Sequence, residues 1–308
     1  MSMGIIGLGK IGANLALQCL EKGISVVGLD KEDKPELSEK GAKIAKTYDE
    51  FANLLSSPRI TFLSLPAGEA VDQVISKLIP CLDEGDVIID GGNSYYKDSI
   101  RRESDLSKLG ICFVDCGTSG GLAGARYGAC LMVGGKPEAI SKCENLLKTL
   151  CVEDGFLKVG GPGSGHFVKL VHNGIEFGMT QAIGEGLELL KNGDFPLDLQ
   201  KVFQLWSHGS VIRGWLIELM AEGLKELPDL EVPSYVEDTG EVNWLVKEAI
   251  EKEISAPVIT QSVLELFRSR QIENDVTRAV AIMRHGFGGH PYGKDTSIAE
   301  ERKHGRIR

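Results

Sequence analysis

Short apolar runs alternate with longer amphipathic stretches along the first half of the chain. The runs that predict strands are 4–6, 24–29, 60–65, 86–90 and 111–114. They are nearly continuous, which is typical of strands buried on both faces. The stretches of helical length are 11–22, 48–56, 69–79, 97–109 and 137–150. This alternation predicts an α/β fold with a doubly wound, mainly parallel sheet.

The pattern changes after Gly160, where strand-like runs give way to long helical ones. The predicted helices are 166–192, 197–206, 211–225, 243–252 and 257–270. The glycine-rich segment 160–165 cannot hold regular structure and therefore predicts a boundary. We expect two domains, an α/β domain at 1–162 and an all-helical domain at 163–308.

Composition excludes several classes of function. The net charge is −10, which disfavours nucleic acid as a partner, because phosphate contacts need clustered Lys and Arg. Four basic residues near the end are interpreted as a solvated tail: Arg302, Lys303, Arg306 and Arg308. No apolar run approaches the roughly 20 residues that span a bilayer. The first ten residues lack the basic start of a signal peptide. We therefore expect a cytoplasmic protein without a membrane segment.

The seven cysteines are odd in number and irregularly spaced. Cys112 and Cys116 lie four residues apart, without the paired CxxC pattern or nearby His of a zinc site. We expect reduced thiols and no metal cofactor.

A glycine motif follows the first predicted strand and begins the first predicted helix. It has the form G-x-G-x-x-G and consists of Gly7, Leu8, Gly9, Lys10, Ile11 and Gly12. The glycines would allow a tight turn, close approach of a pyrophosphate, and close packing of helix on strand. The helix N-terminus offers free N–H groups to phosphates. The motif predicts a Rossmann dinucleotide-binding domain; a glycine turn without a cofactor is the alternative.

Asp30 closes the second predicted strand, 23 residues after Gly7. A carboxylate there binds ribose hydroxyls and repels a 2′-phosphate, so NAD is predicted over NADP. NADP stays possible because Lys31 could offset part of the repulsion, and Asp30 could also be an ordinary acid at a strand end. A cofactor wall is predicted where the third strand ends, at Leu65, Pro66 and Ala67.

Four polar residues share one face of the predicted helix 166–192: Lys169, His172, Asn173 and Glu176. The rest of that helix is apolar, and a polar stripe on a buried helix needs a reason, because burying charge costs free energy. The stripe could be a solvated face, or a structural network in which the polar groups satisfy one another's hydrogen bonds. It could also hold a base and an acid that face one substrate.

Several segments resemble the 6-phosphogluconate dehydrogenase family, of the decarboxylating type. Besides the motif at 7–12, they are 65–68 (LPAG), 89–94 (IDGGNS), 118–121 (TSGG), 124–128 (GARYG) and 165–176 (GHFVKLVHNGIE). The resemblance covers nearly the whole chain and fits the short form of the family, in which a single helical segment follows the Rossmann domain. The wider β-hydroxyacid dehydrogenases share only a sparser pattern of glycines and a lysine.

The resemblance implies Lys169 as the catalytic base and Glu176 as the acid. Lys169 would take the proton from the C3 hydroxyl of 6-phosphogluconate as hydride leaves C3 for the nicotinamide. After loss of CO2, the protonated lysine would stabilise the enolate oxygen. Glu176 would then protonate C1 to give ribulose 5-phosphate, and no metal is implied.

The resemblance also implies the contacts to the substrate. Asn93, which is expected to contact the cofactor as well, would lie beside the carboxylate and hydroxyls with Ser119, Gly120 and Gly121. His172 and Asn173 would bind hydroxyls. Arg213 matches a phosphate-binding arginine, and Arg284 and His290 match a pair that the family supplies from the partner subunit's tail. A dimer or tetramer with shared sites is therefore expected, although Arg284 and His290 could instead lie in a solvated terminal loop.

Two positions depart from the family pattern. Phe177 stands where the family often has a tyrosine that contacts the phosphate. In the motif Gly-x-x-x-Trp at 240–244, Asn243 stands where the family often has a cation. These departures indicate weaker phosphate binding, compensation by another cation, or a different acid substrate.

Two other functions remain open at this stage. The chain could be a dehydrogenase of an unphosphorylated β-hydroxy acid such as 3-hydroxyisobutyrate, against which Arg213, Arg284 and His290 argue. It could also be a catalytically inactive dinucleotide-binding protein that senses redox state, for which Lys169 and Glu176 would be unnecessary.

Overall fold

The computed structural model describes residues 2–305, except for the side chains of residues 301 and 303–305. The chain forms two compact units, Met1–Leu170 and Val171–Arg308. The division falls within the helix Ser164–Lys191, and the boundary predicted between residues 162 and 163 lies just before that helix begins.

The first unit is built on one eight-stranded sheet. Its strands are β1 Ser2–Ile6, β2 Ser25–Leu29, β3 Lys43–Ala45, β4 Ile60–Leu63, β5 Val87–Asp90, β6 Cys112–Ser119, β7 Ala129–Gly135 and β8 Cys151–Gly160. The order across the sheet is β3-β2-β1-β4-β5-β6-β7-β8. The pairing of β6 with β7 is antiparallel, and the six other pairs of neighbouring strands in this sheet are parallel. The predicted doubly wound, mainly parallel sheet is thus confirmed.

Helices cover both faces of this sheet. They are α1 Lys10–Glu21, α2 Pro35–Glu39, α3 Tyr48–Asn53, α4 Glu69–Leu78, α5 Tyr96–Ser107, α6 Gly121–Tyr127 and α7 Pro137–Thr149. Alternate residues of β1 point into two separate apolar cores: Ile5 joins α1 and α7 on one face, and Ile6 joins Phe51 of α3 on the other. Period-two alternation within buried strands produces this arrangement.

Three strands and two short α-helices of the first unit were not predicted. β3 has only three residues, α2 has five, and both are too short for a hydrophobic period. α6 contains two glycines, which lower its helix propensity. β7 ends in two glycines, and most residues of β8 are exposed, so neither forms a long apolar run.

The regular secondary structure in the described part of the chain after Gly160 is helical. Its helices are α8 Ser164–Lys191, α9 Leu199–Trp206, α10 Trp215–Glu226, α11 Glu241–Glu251, α12 Pro257–Ser269, α13 Asp275–Gly288 and α14 Thr296–Gly305. The expected all-helical region is confirmed. α13 was missed because it is buried on nearly every side from Val276 to Arg284, which removes the amphipathic period.

No helix among residues 2–305 is long and apolar enough to cross a membrane. All seven cysteines are unpaired. Burial raises the pKa of Cys19 and Cys143 to about 12, so these thiols are poor nucleophiles near neutral pH. Within the described part of the chain, no three His, Cys, Asp or Glu side chains are grouped so that they could hold a metal ion.

Candidate active site

The glycine motif forms a tight loop between β1 and α1. Gly7 has a φ of +91°, and its N–H donates to the Leu29 carbonyl at 3.0 Å. A Cβ on Gly12 would lie 1.9 Å from the Gly7 carbonyl oxygen, whereas one on Gly9 would meet nothing within 4 Å. Gly12 therefore permits the close packing of helix on strand, and the space beside Gly9 is open, as a bound pyrophosphate requires.

Asp30 follows β2 directly and faces this loop. Its carboxylate accepts hydrogen bonds from the Leu8 N–H and, at 3.0 Å, from the Glu32 N–H. The cation next to it is Lys34, whose Nζ lies 4.0 Å from Asp30 Oδ1 and 3.0 Å from Glu32 Oε2. Lys31, which the sequence indicated for this role, is exposed. Asp30 is thus held in place with a partly neutralised charge.

The turn after β4 contacts the loop after β5. A Cβ on Gly92 would lie 2.7 Å from the Leu65 carbonyl oxygen, so only glycine allows the two segments to approach this closely. Asn93 is half-buried in the same loop, and the neighbouring Ser94 hydroxyl is buried without a hydrogen-bond partner in the described part of the chain. An unsatisfied buried hydroxyl beside the predicted cofactor wall fits a site that receives a polar ligand.

Arg102 of α5 lies beneath these two segments and was not identified from the sequence. Its guanidinium donates to Asp90 Oδ2 at 3.1 Å, to Asp72 Oδ1 at 2.8 Å and to the Gly68 carbonyl at 2.9 Å. Arg102 and Asp90 are almost fully buried. The only sequence signal was a charged residue on the inner face of an amphipathic helix, which does not reveal its partners.

The loop between β6 and α6 holds three of the predicted substrate residues. Ser119 ends β6, and Gly120 and Gly121 have φ values of +115° and +59°. All three are half-buried. Their left-handed backbone requires glycine at these two positions and leaves backbone N–H groups beside the strand end.

Lys169 lies in the second turn of α8 and is only 8% exposed. The start of this helix is capped by the buried Asp115 of β6, which accepts from the Gly163 N–H at 2.7 Å and the His166 N–H at 2.9 Å. His166 Nδ1 lies 2.7 Å from the Ser99 hydroxyl. These contacts fix the segment that carries Lys169 against β6 and α5.

Gly117 of β6 sets how closely Lys169 approaches the sheet. A Cβ on Gly117 would lie 2.5 Å from the Cβ of Lys169 and 2.8 Å from the Gly165 carbonyl oxygen. Both neighbours are fixed parts of α8, so a methyl group there must push the helix away from the strand.

We therefore expect Gly117→Ala to destabilise the protein by about 1–3 kcal/mol, because it overpacks a closed contact. Gly161→Ala is the matched control, since a Cβ at Gly161 would meet nothing within 4 Å. Urea unfolding of both variants measures the difference. Equal midpoints for the two variants would show that the contact at Gly117 is not closely packed.

The remaining polar residues of the stripe lie in the second unit. Asn173 is buried, His172 and Glu176 are half-buried, and His172 Nδ1 lies 3.2 Å from Asn173 Oδ1. Lys169 and Glu176 both belong to α8. The stripe is therefore neither a fully solvated face nor fully buried.

The three predicted phosphate residues have different environments in the second unit. Arg213 is exposed between α9 and α10 and donates to the Ser210 carbonyl at 3.1 Å. Arg284 is buried in α13, where it donates to the Glu237 carbonyl at 3.1 Å. His290 is half-buried and packs edge-on against Phe287. Arg284 thus does not lie in a solvated terminal loop.

The two departures from the family pattern have specific surroundings. Phe177 is buried, with the guanidinium of Arg284 5.6 Å from its ring centroid. Asn243 lies near Arg302, because both side chains approach Gly240.

The interpretation of Arg302 as part of a solvated tail is wrong. Its guanidinium donates to Glu237 Oε1 and to the Asp238 carbonyl, and only 12% of its side chain is exposed. A cation is thus present near Asn243, but two acids engage it. The structure does not describe the side chain of Lys303. Arg306 and Arg308 lie outside the described residues.

Comparison with known proteins gives the family. A model described as the NAD binding domain of 6-phosphogluconate dehydrogenase matches residues 2–154, and one described as 6-phosphogluconate dehydrogenase, C-terminal domain, matches residues 165–286. The chain belongs to the 6-phosphogluconate dehydrogenase family. The implied family is thereby confirmed.

Individual relatives agree with this assignment. The YqeC protein of Bacillus subtilis is 43% identical over 293 residues, which cover 94% of this chain and 98% of that protein. The NAD(+)-dependent, decarboxylating 6-phosphogluconate dehydrogenase of Haloferax volcanii is 40% identical over 295 residues, with the same coverage.

A solved structure extends the likeness to the fold. The 6-phosphogluconate dehydrogenase of Plasmodium falciparum, studied without ligand and with its cofactor NADP+ or its substrate 6-phosphogluconate, superposes with a TM-score of 0.80 at 31% identity. The match covers 87% of this chain and 62% of that longer chain.

Proposed function

We propose that this protein oxidises and decarboxylates 6-phosphogluconate to ribulose 5-phosphate and CO2, with NAD as the acceptor. The observation that carries the proposal is Lys169, buried at the capped start of α8 and two turns before Glu176 on the same helix. Membership of the family and the names of its relatives support the same reaction.

The residues of the first unit fit a dinucleotide. Gly7, Leu8, Gly9, Lys10, Ile11 and Gly12 would hold the pyrophosphate, Asp30 the adenosine ribose, and Leu65, Pro66, Ala67 and Asn93 the nicotinamide end. When it is bound, the nicotinamide ring accepts a hydride. The open space beside Gly9 and the unsatisfied Ser94 hydroxyl support this placement.

Lys169 and Glu176 would perform the two proton transfers. A buried amine can act as a base because desolvation disfavours its ammonium form, so Lys169 takes the proton from the C3 hydroxyl. The protonated Lys169 then stabilises the negative oxygen that develops as CO2 leaves. Glu176 donates a proton to C1 of the resulting enediol.

Other side chains would orient the sugar acid. Ser119, Gly120, Gly121 and Asn93 border its carboxylate and hydroxyls, and His172 and Asn173 bind hydroxyls. Arg213, Arg284 and His290 bind the phosphate, for which the planar fork of arginine is suited.

We also propose that the protein self-associates as a dimer or tetramer and that its C-terminal residues complete a neighbour's site. Apolar side chains around Arg213 support this: Val211 is 99% exposed, and Ile212 and Trp215 are also exposed. Light scattering coupled to size exclusion would measure the assembly. We place the protein in the cytoplasm, where seven unpaired thiols would stay reduced.

Initial rates of reduced-nicotinamide formation test the proposed reaction, with 6-phosphogluconate as substrate, NAD and NADP in parallel, and trapping of CO2. We expect turnover with one CO2 released for each nucleotide reduced. Binding of NAD without turnover would contradict the proposal and favour a sensor.

A second candidate is oxidation of an unphosphorylated β-hydroxy acid such as 3-hydroxyisobutyrate. It is favoured by Asn243 at the family's cationic position and by the acids that engage the nearby Arg302. Turnover of such an acid, with none of 6-phosphogluconate, would identify it.

Asp30→Ala should narrow the preference for NAD over NADP by about tenfold or more, because it removes a charge-assisted hydrogen bond to ribose and a repulsion of the 2′-phosphate. The ratio of kcat/KM for the two cofactors measures the effect. Glu36→Ala is a control at an exposed acid of the neighbouring helix. An unchanged ratio would mean that Asp30 does not contact the ribose.

A further inference from the structure

Two segments that border the predicted nicotinamide site are joined by one buried side chain. Arg102 donates to the carbonyl of Gly68, at the end of the turn after β4, and to the carboxylate of Asp90, at the end of β5. The other oxygen of Asp90 accepts from the Gly92 N–H at 3.2 Å. Arg102 therefore ties the turn 65–68 to the loop 91–93.

The end of the turn has no side-chain cap of its own. Gly68 has a φ of +90°, a conformation that glycine adopts without strain, and it forms the N-cap of α4 without any side-chain cap. Its carbonyl is directed to Arg102. A third contact, from Arg102 to Asp72 of α4, holds the helix that follows the turn.

Buried ion pairs contribute little net stability, since the cost of desolvating both charges offsets their attraction. A planar guanidinium with three fixed partners does, however, restrict geometry, because its donors point in set directions. The main consequence of this network is thus the relative position of two loops, rather than the stability of the sheet.

We propose that Arg102 is a positioning residue for hydride transfer. It contacts neither cofactor nor substrate, and it sets the spacing of the turn 65–68 and the loop 91–93, which hold the nicotinamide ring. This inference rests on the proposed function, in that those two segments are taken to bind the ring. A displacement of about 1 Å at a reacting centre can lower a rate by about 100-fold.

The neighbouring arginine offers a matched control. Arg101 also pairs with Asp72, at 2.9 Å, but it is half-exposed, and it pairs in addition with Asp98 rather than with Asp90 or Gly68. Arg102→Lys keeps a positive charge for Asp90 and loses the fork, whereas Arg101→Lys makes the same chemical change at an arginine that contacts Asp72 but is not joined to Asp90 or Gly68.

Kinetics of the two variants test the inference. For Arg102→Lys we expect kcat to fall by about 10- to 100-fold, and the primary isotope effect with 3-deuterated 6-phosphogluconate to rise, because hydride transfer becomes rate-limiting. Arg101→Lys should match the parent in both measurements. Equal effects in the two variants, or a parent-like isotope effect in Arg102→Lys, would overturn the inference.

Binding measurements separate this inference from the proposed reaction. NADH contains the nicotinamide ring, and ADP-ribose lacks it. Arg102→Lys should weaken the binding of NADH by about three- to tenfold and leave the affinity for ADP-ribose within about twofold of the parent value. This result would stand even if 6-phosphogluconate were not the substrate. Equal weakening of both ligands would indicate a general structural defect and would overturn the positioning role.

Asp72→Asn provides a second test of the inference in case the Arg102→Lys variant does not fold. It loosens Arg102 but leaves the buried Asp90 paired, so the protein should stay folded. We expect a smaller change in the same direction, a several-fold loss of kcat with a raised isotope effect. Parent-like kinetics in this variant, together with loss of folded protein for Arg102→Lys, would assign Arg102 to stability alone.

Discussion

Lys169→Met should lower turnover of 6-phosphogluconate by about 10³-fold or more while NAD still binds. A positioned general base contributes about 10²- to 10⁴-fold, and Lys169 would also stabilise the oxygen that gains charge during decarboxylation. Methionine is unbranched and apolar, so it suits the buried position against β6. Steady-state rates, together with NAD titration by protein fluorescence, measure both properties.

The control for this substitution is a lysine of the same unit outside the site. Lys158 of β8 is exposed and pairs with Glu144. Lys158→Met should keep parent-like turnover. If Lys169→Met retained near-normal turnover with native NAD affinity, Lys169 would not be the base.

Glu176→Gln should lower steady-state formation of ribulose 5-phosphate by about 10²- to 10³-fold. Glutamine has the same shape as glutamate but cannot donate a carboxylic proton. Because Glu176 would act after CO2 leaves, oxidation and decarboxylation should still occur once on each enzyme molecule. Rapid-quench experiments should therefore show a burst of reduced nucleotide and CO2, followed by slow release of product.

The isotopic composition of the product gives an independent measurement. In D2O the parent should place deuterium at C1 with one stereochemistry, and Glu176→Gln should lose that selectivity because protonation no longer comes from one side chain. Glu188→Gln, further along the same helix, is the control. An equal loss of the burst and of the steady rate would place Glu176 in an earlier step.

Most of the candidate site residues could be named from the sequence because they lie in contiguous segments. The loop 7–12 connects a strand to a helix, and its predicted turn and packing agree with the contacts at Gly7 and Gly12. The assignment of Lys169, Glu176 and the substrate residues to their roles stays a prediction. What the structure adds is their burial and partners.

Other parts could not be predicted, because their determinants are distant in sequence. Asp115 lies about 50 residues before the N–H groups that it caps, and Gly117 is equally remote from Lys169. Lys34, rather than Lys31, lies beside Asp30 because a short helix, invisible to periodicity, begins there.

The sequence alone determined the fold class, the family, and the order of five strands and five helices of the first unit, because buried strands and a phosphate-binding turn leave local patterns. Only the tertiary structure revealed the network of Arg102, Asp90, Asp72 and Gly68. It also decided that Arg284 is buried against Phe177 and that Arg302 pairs with Glu237. These contacts join residues far apart in the chain, and no local period records which charged side chain a folded backbone will bring to a given partner.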